Sequence, residues 1–144
     1  MSGNNSTDKL AEEFKKVKAN IRKLKETGFF KEGIAIINEI SKVSFDFDIH
    51  VAKNTPEEDL MVLLEDHRQL NYFQLNILAE LLMLEGEIYY EMKNYEDSKI
   101  CHEVALRIFM HIDERDENPY SIDIMDRMTK NMEMLQRIKT EMNK

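Results

Sequence analysis

The chain has 144 residues, a formal net charge of -8 and 42% hydrophobic residues. Its length is typical of one domain, and its hydrophobic content exceeds that of an intrinsically disordered chain. The negative charge argues against nucleic-acid binding, because phosphate contacts depend on clustered Lys and Arg. The 4 Gly and 2 Pro are too few for the many turns of a β-sandwich or barrel. The composition therefore favours a single all-α domain.

Two further features bear on the compartment in which the protein works. Cys101 is the only cysteine, so an internal disulfide and a multi-thiolate metal site are excluded, which fits a reducing compartment. Residues 1–8 lack the apolar core of a signal peptide, and no apolar run approaches the roughly 20 residues of a membrane span. We interpret residues 1–8 as a flexible N-terminus and residues 9–144 as one helical domain, and we expect a cytoplasmic protein.

Two amphipathic helices are predicted first, because apolar residues recur at steps of three and four. Gly28 separates them, since glycine adopts the left-handed conformation at a helix C-terminus without a steric penalty. The second helix is predicted to end near Val43. The alternation over residues 44–49 indicates a loop, because an edge strand would have no partner elsewhere. The apolar faces are Leu10, Phe14, Val17, Ile21 and Leu24, then Phe30, Ile34, Ile37 and Ile40.

A longer helical region is predicted next. The Thr-Pro-Glu-Glu sequence at residues 55–58 has the features of a helix start, with Thr as the N-cap, Pro in the first turn and a capping box. The sequence leaves open whether residues 57–92 form one helix or two, and we favour a break at residues 66–71. Residues 70–92 carry apolar residues on two faces, which predicts the central and most buried helix.

Two more helices complete the predicted chain. Asn94 is placed as the N-cap of the first, and a polar turn over residues 113–118 precedes the second, which opens at Asn118 and Pro119. The inward residues of the first are Ser98, Cys101, Ala105, Ile108 and Ile112. The last helix has one narrow apolar stripe on a charged cylinder, as a capping helix does. The stripe is Ile122, Met125, Met128, Met132, Leu135, Ile138 and Met142.

Residues 78–112 resemble the tetratricopeptide repeat (TPR), a motif of two antiparallel helices. The residues that fall at the signature spacing are Leu82, Gly86, Tyr89, Asn94, Tyr95, Ser98 and Ala105. In such a repeat the small residues let the helices pack closely, and the aromatic residues fill the space between them. Residues 105–115 resemble the longer-helix version of the repeat found in many bacterial regulatory and scaffold proteins. The match departs from the family at Glu85, where Leu is usual, and at His102, where an aromatic residue is usual.

A weaker likeness covers the first predicted helix pair. Its matching residues are Ile21, Leu24, Gly28, Phe29, Phe30, Gly33 and Ile37. The turns at Gly28 and Lys93 lie farther apart than the roughly 34 residues of one repeat, so an insertion over residues 44–70 separates the pairs. The resemblance implies an all-α fold of antiparallel helix pairs in a short TPR-like right-handed superhelix, with a C-terminal capping helix.

No pattern typical of a catalytic or metal site occurs in the sequence. The histidines lack metal-binding spacing, and the adjacent Cys101 and His102 diverge on a helix. Acidic runs lie in first helical turns, where they interact favourably with the helix dipole. We therefore expect no enzyme activity, no cofactor and no metal, and we interpret Cys101 as a small buried filler. The alternative is a small helical enzyme or phosphotransfer protein that uses His102 or an unrecognised carboxylate pair.

The resemblance implies that the first helices of the pairs line a concave groove for a partner protein or peptide. The predicted groove residues are Lys15, Lys18, Arg22 and Lys25 in the weak repeat, and Glu80, Met83, Glu87 and Tyr90 in the clear one. The acidic, Met- and Tyr-bearing part suggests a partner segment with basic and apolar residues. Glu87 stands where the carboxylate-clamp subgroup of the family needs Asn, so we do not expect binding of chaperone tails.

Charge and the last helix raise two more expectations. The first helix is basic and residues 46–97 are acidic, so these charges pair internally if the two segments are neighbours, or else steer a charged partner.

We expect the apolar stripe of the last helix to pack against its own chain or against a symmetry mate. We favour its own chain, because the preceding turn is short. A homodimer through Met128, Met132 and Leu135 is the alternative.

Overall fold

The described chain is built from helices. The computed structural model describes the backbone of residues 2–114 and 121–144, and the side chains of residues 9, 11–114 and 123–144. The helices are α1 (Ser2–Glu26), α2 (Phe30–Phe45), α3 (Ile49–Lys53), α4 (Tyr72–Glu91), α5 (Tyr95–Glu114) and α6 (Ser121–Met142). No strand occurs within these residues, so the predicted all-α class is confirmed. None of the described helices has the length and apolar character that crossing a membrane requires.

The first two helices pack as their apolar patterns predict. Phe14 and Ile21 of α1 are buried, and so is Ile37 of α2. Gly28 separates the two helices with a φ of 83°, a left-handed conformation that glycine adopts without steric cost. The backbone of α1 is already helical from Ser2, earlier than the sequence suggests. Flexibility of residues 1–8 stays a prediction.

A short helix that the sequence analysis missed, α3, follows α2. Asp46 ends α2 in a left-handed conformation with a φ of 50°. Asp48 caps α3 by accepting a hydrogen bond from the His50 N–H at 2.9 Å. Phe47 lies between these two aspartates and is 1% exposed. The alternating residues 44–49 thus form no strand, as predicted, and their apolar members turn inward because the chain bends around Phe47.

The predicted helix start at Thr55 is wrong. Its Oγ1 donates to the Val51 carbonyl at 2.5 Å, which ties it to the end of α3 instead of capping a new helix. Pro56 has an extended backbone, with φ of -54° and ψ of 146°, so it precedes the next turn and does not occupy it. That turn, Glu57–Asp59, is a single turn of 3-10 helix.

The predicted break before α4 is confirmed. Val62–His67 form a π-helix, a wider helix that occurs mostly as single turns. Asn71 then starts α4 with a capping box: its Oδ1 accepts from the Gln74 N–H at 2.8 Å, and Gln74 Oε1 accepts from the Asn71 N–H at 2.9 Å. Residues 57–92 therefore form separate helical segments.

The central helix is α4, as predicted. It packs against α1, α2 and α5, so apolar residues are buried on several of its sides. They are Leu75, Ile77, Leu78, Ala79, Leu81, Leu82, Leu84 and Ile88. Burial of one Leu or Ile side chain contributes about 1.5–3 kcal/mol relative to exposure. The buried apolar residues of α4 therefore make this helix a major source of the fold's stability.

The helices α4 and α5 pack closely at Gly86. The Ser98 Oγ donates to the Gly86 carbonyl at 2.7 Å, and a Cβ added to Gly86 would lie 2.7 Å from Cδ2 and Nε2 of His102. Asn94 caps α5 as predicted, with its Oδ1 accepting from the Asp97 N–H at 3.3 Å. The inward residues predicted for α5, namely Ser98, Cys101, Ala105, Ile108 and Ile112, are all buried.

The last helix packs against α5 of its own chain, which is the favoured prediction. The predicted stripe is partly wrong, because Met125 and Met132 are 60% and 50% exposed. The face that turns inward includes the polar Asn131, which a search for apolar spacing does not detect. Its fully buried residues are Ile124, Asn131 and Ile138. The predicted start at Asn118 and Pro119 lies outside the described residues, and the homodimer stays a prediction.

We predict that Gly86→Ala destabilises the protein by about 1–3 kcal/mol, the usual cost of overpacking a core. The added methyl group meets the His102 ring, which is fully buried and hydrogen-bonded to Asn131. The matched control is Gly33→Ala, whose new Cβ meets the flexible Cδ1 tip of Ile88 at 2.9 Å. Urea unfolding of both variants checks this expectation. Equal stability of the two variants would contradict the close packing at Gly86.

Candidate functional site

A groove between α1, α4 and α6 is the candidate functional site. Its cavity has a volume of about 350 Å³. The residues that line it, from α1, α4 and α6 in turn, are Lys18, Arg22, Glu80, Met83, Leu84, Glu87, Asp123, Asp126, Arg127 and Lys130. Most of the groove residues predicted from the sequence therefore share one cavity, although the two helices that carry them are distant in the chain.

Three predicted groove residues do not line this cavity. Lys25 borders it through its ion pair with Glu87, whereas Lys15 and Tyr90 make other contacts. Lys15 is exposed, and its Nζ lies 3.9 Å from Glu12 Oε1 on the same helix. Tyr90 packs edge to face against Tyr95 with ring centroids 5.5 Å apart, so its ring contributes to the α4–α5 contact. The structure therefore separates these two side chains from the other predicted groove residues.

Glu80 joins the walls of the groove. Its Oε1 accepts from Lys18 Nζ of α1 at 3.1 Å and from Arg127 Nε of α6 at 3.0 Å. Its Oε2 accepts from Asn76 Nδ2 at 3.3 Å. Glu80 is 8% exposed, and a carboxylate that is largely removed from water is stable only when its oxygens have such partners. One side chain thus connects α1, α4 and α6.

A second ion pair fixes the direction in which α1 runs along α4. Lys25 Nζ lies 3.2 Å from Glu87 Oε1. This pair and the Lys18–Glu80 pair both join residues 62 positions apart, so the two helices run in the same direction where they meet. The basic α1 and the acidic α4 therefore neutralise each other in part, as expected if the two segments are neighbours.

A buried carboxylate, Glu85, lies on another side of α4. It is fully buried, and its Oε1 accepts from Lys53 Nζ of α3 at 2.6 Å and from Cys101 Sγ of α5 at 3.2 Å. Lys53 also lies over the Tyr89 ring, with Nζ 5.6 Å from the centroid. Burial acts to lower the pKa of Lys53, but the Glu85 carboxylate outweighs it and the pKa is raised. Lys53 therefore stays protonated at neutral pH.

His102 forms a second buried polar contact, with Asn131 of α6. Asn131 Nδ2 donates to the Arg127 carbonyl at 2.9 Å, which leaves Asn131 Oδ1 to accept from His102 Nδ1 at 2.9 Å. The neutral tautomer with the proton on Nδ1 satisfies this contact, and Nε2 has no partner among the described residues. Burial lowers the pKa of His102, although the bond to Asn131 and the charge of Glu87 oppose the shift.

These buried groups are poorly placed for chemistry. Burial raises the pKa of the Cys101 thiol well above its usual value and Glu85 raises it further, so the thiol stays protonated. Its predicted burial is confirmed. His102 is fully buried, so its ring does not face solvent or a substrate. The residues that the structure describes contain no cluster of three or more His, Cys, Asp or Glu suited to a metal ion.

A larger cavity, of about 450 Å³, lies between α5 and α6. Its apolar lining includes Met132, Leu135 and Met142, and its polar lining includes Lys99 and Glu103. None of the predicted groove residues lies there. Its lining is mainly apolar, whereas the groove at Glu80 brings charged residues of three helices together, so the groove remains the better candidate site.

The sequence analysis missed the contribution of α6 to the groove. Asp123, Asp126, Arg127 and Lys130 lie on the polar part of this helix, which an analysis of apolar spacing treats as solvated surface. A usable signal was present, because the predicted last helix has a charged face and was expected to pack on its own chain. The charged face of α6 was therefore a candidate wall.

Comparison with protein-family models, with curated proteins and with solved structures finds no match to this chain. The likeness to the tetratricopeptide repeat therefore depends on the residues at the signature spacing. The groove itself is defined by the contacts of Glu80 and Glu87.

We predict that His102 makes the fold sensitive to mild acid. Its pKa is lower in the folded than in the unfolded state, so below about pH 6.5 the unfolded state binds more protons and the free energy of unfolding falls. One such group changes stability by at most about 1.4 kcal/mol per pH unit. Chemical unfolding at several pH values should show a shallower fall for His102→Gln, whose amide can still donate to Asn131.

The control for this experiment is His50→Gln, because His50 is exposed on α3. We expect it to keep the pH dependence of the original protein between pH 7 and pH 5. If His102→Gln keeps that dependence as well, the buried neutral state of His102 is wrong.

Proposed function

We propose that the protein is an interaction scaffold that binds a peptide or helix of a partner protein in the groove between α1, α4 and α6. The observation that carries the proposal is the shared cavity, in which residues predicted from two separate repeat-like segments converge with α6. A partly apolar groove wall with charged groups at defined positions is suited to recognising an extended or helical segment.

A TPR-like arrangement is part of this proposal. It is supported by the parallel course of α1 and α4, which are the first helices of the two repeat-like pairs. It is also supported by the close approach of α4 and α5 at Gly86 and Ser98, which are small residues of the signature. In this reading α1, α4 and α6 form the concave side, and α6 takes the place of the next first helix.

Binding, rather than catalysis, is the proposed activity. Glu80 is held by two cations and an amide, and Glu87 is held by Lys25. The oxygens of both carboxylates are thus engaged by groups of the same chain, which supports a structural and binding role for them. A cytoplasmic location is proposed together with this function.

We predict that Met83→Glu weakens binding to the groove about 10-fold or more, because it removes an apolar contact and adds an unpaired charge. Peptides selected from a displayed library against the original protein provide the ligands, and fluorescence anisotropy measures their affinity. Met83 is half-buried in the groove wall. Circular dichroism and thermal unfolding verify that the variant is folded.

The matched control for this experiment is Met110→Glu, because Met110 is 44% exposed on α5 outside the groove. We expect it to change peptide affinity by less than about twofold. A library that yields no peptide, or peptides that bind both variants alike, would remove the proposed function.

A further inference from the structure

We propose that the groove binds an acidic segment of its partner, whose carboxylates are held by Arg22 and by the outer N–H groups of Arg127. This inference deepens the proposed function and rests on it. It also replaces the expectation of a basic partner, which was based on the acidic residues of α4 considered without their neighbours.

The carboxylates at the centre of the groove are already occupied. Glu80 receives Lys18 from one side and Arg127 from the other, and Glu87 receives Lys25. The side chains of Glu80 and Lys18 are 10% and 17% exposed, so the contact is largely shielded from water. A basic ligand would have to displace these internal cations, and it would gain only the difference between two similar ion pairs.

The cations of the groove differ in how many carboxylate contacts they make. Lys18, Glu80 and Arg127 together carry one excess positive charge, because a single carboxylate serves two cations. Arg127 contacts Glu80 through Nε, and its terminal nitrogens have no ion-pair partner within the described part of the chain. Arg22 lines the same cavity, is exposed, and likewise pairs with no carboxylate among the described residues.

The acidic residues of α6 do not cancel this excess at the centre of the groove. Asp126 pairs with Lys130 at 3.1 Å, and both side chains are 62% exposed, so this contact is screened by water. Asp123 is exposed in the first turn of α6, where it compensates the positive end of the helix dipole. A carboxylate that enters the cavity therefore meets Arg22, which has no ion pair among the described residues, and the terminal nitrogens of Arg127. The planar guanidinium fork can bind a carboxylate with two hydrogen bonds.

The test uses three synthetic peptides with the same Leu and Ala framework, bearing Glu, Lys or Gln at the remaining positions. Each is titrated into isotopically labelled protein while the amide resonances are followed by NMR. We expect the Glu peptide to bind at least about 10-fold more tightly than the Lys peptide, and to shift the resonances of Arg22, Met83 and Arg127. The Gln peptide should fall between them.

Two arginine variants locate the binding. Arg22→Glu should weaken binding of the Glu peptide about 10-fold or more, whereas Arg137→Glu should change it by less than about threefold. Arg137 is exposed on α6 and does not line the groove, so it is matched in residue type and in net charge change. Equal losses of affinity in the two variants would mean that the overall charge of the protein attracts the peptide without a specific site. This result would overturn the proposal.

The other outcomes separate this inference from the proposed function. If the Lys peptide binds the groove as tightly as the Glu peptide, or if library peptides bind there without acidic residues, the groove function stands and the acidic preference is wrong. If the Glu peptide shifts resonances only outside the groove, the proposed site for its carboxylates is wrong. If neither these peptides nor library peptides bind, both proposals fail.

Discussion

The carboxylate of Glu85 lies where none of its side chain reaches solvent. An uncompensated charge in such a place costs several kcal/mol, so it requires a partner of opposite charge. The structure supplies one from outside the central helix pair, Lys53 of α3. His102 is buried as well and needs a hydrogen-bond partner, which Asn131 of α6 provides. The two residues that depart from the repeat signature therefore join the α4–α5 pair to the helices on either side of it.

The groove depends on these buried contacts. Asn131 accepts from His102 and donates to the carbonyl of Arg127, one turn earlier on α6. The Arg127 side chain reaches Glu80 from this fixed backbone position. Asn131 in the core and Arg127 in the groove wall thus lie one turn apart on α6. A change at His102 is therefore expected to alter the groove as well as the free energy of unfolding. Close packing at Gly86 adds to this rigidity, because the His102 ring lies against Gly86 of α4 and is also bonded to Asn131 of α6.

The sequence predicts the long helices because each needs only a repeating apolar face and local caps, as at Gly28 and Asn94. It does not predict α3 or the π-helix Val62–His67, since segments this short depend on contacts with the rest of the protein. Most groove residues of α1 and α4 follow from the spacing of the repeat that the sequence resembles. The contribution of α6 does not, because Arg127 gains its role from a contact with Glu80 across the fold. Asn131 was missed for a similar reason, since a polar residue on a buried face is explained only by its partner.

The most direct test of this account is the stability of Lys53→Met, measured by urea unfolding beside the double variant Lys53→Met with Glu85→Leu. The single change leaves Glu85 buried without its counter-charge, and we expect it to cost about 3–5 kcal/mol. The double variant places Leu, which is usual at this position of the repeat, beside the apolar Met side chain. We expect it to recover most of the lost stability, because replacing a whole buried ion pair by apolar residues is often neutral. A single variant as stable as the original protein, or a double variant no more stable than the single one, would contradict the account.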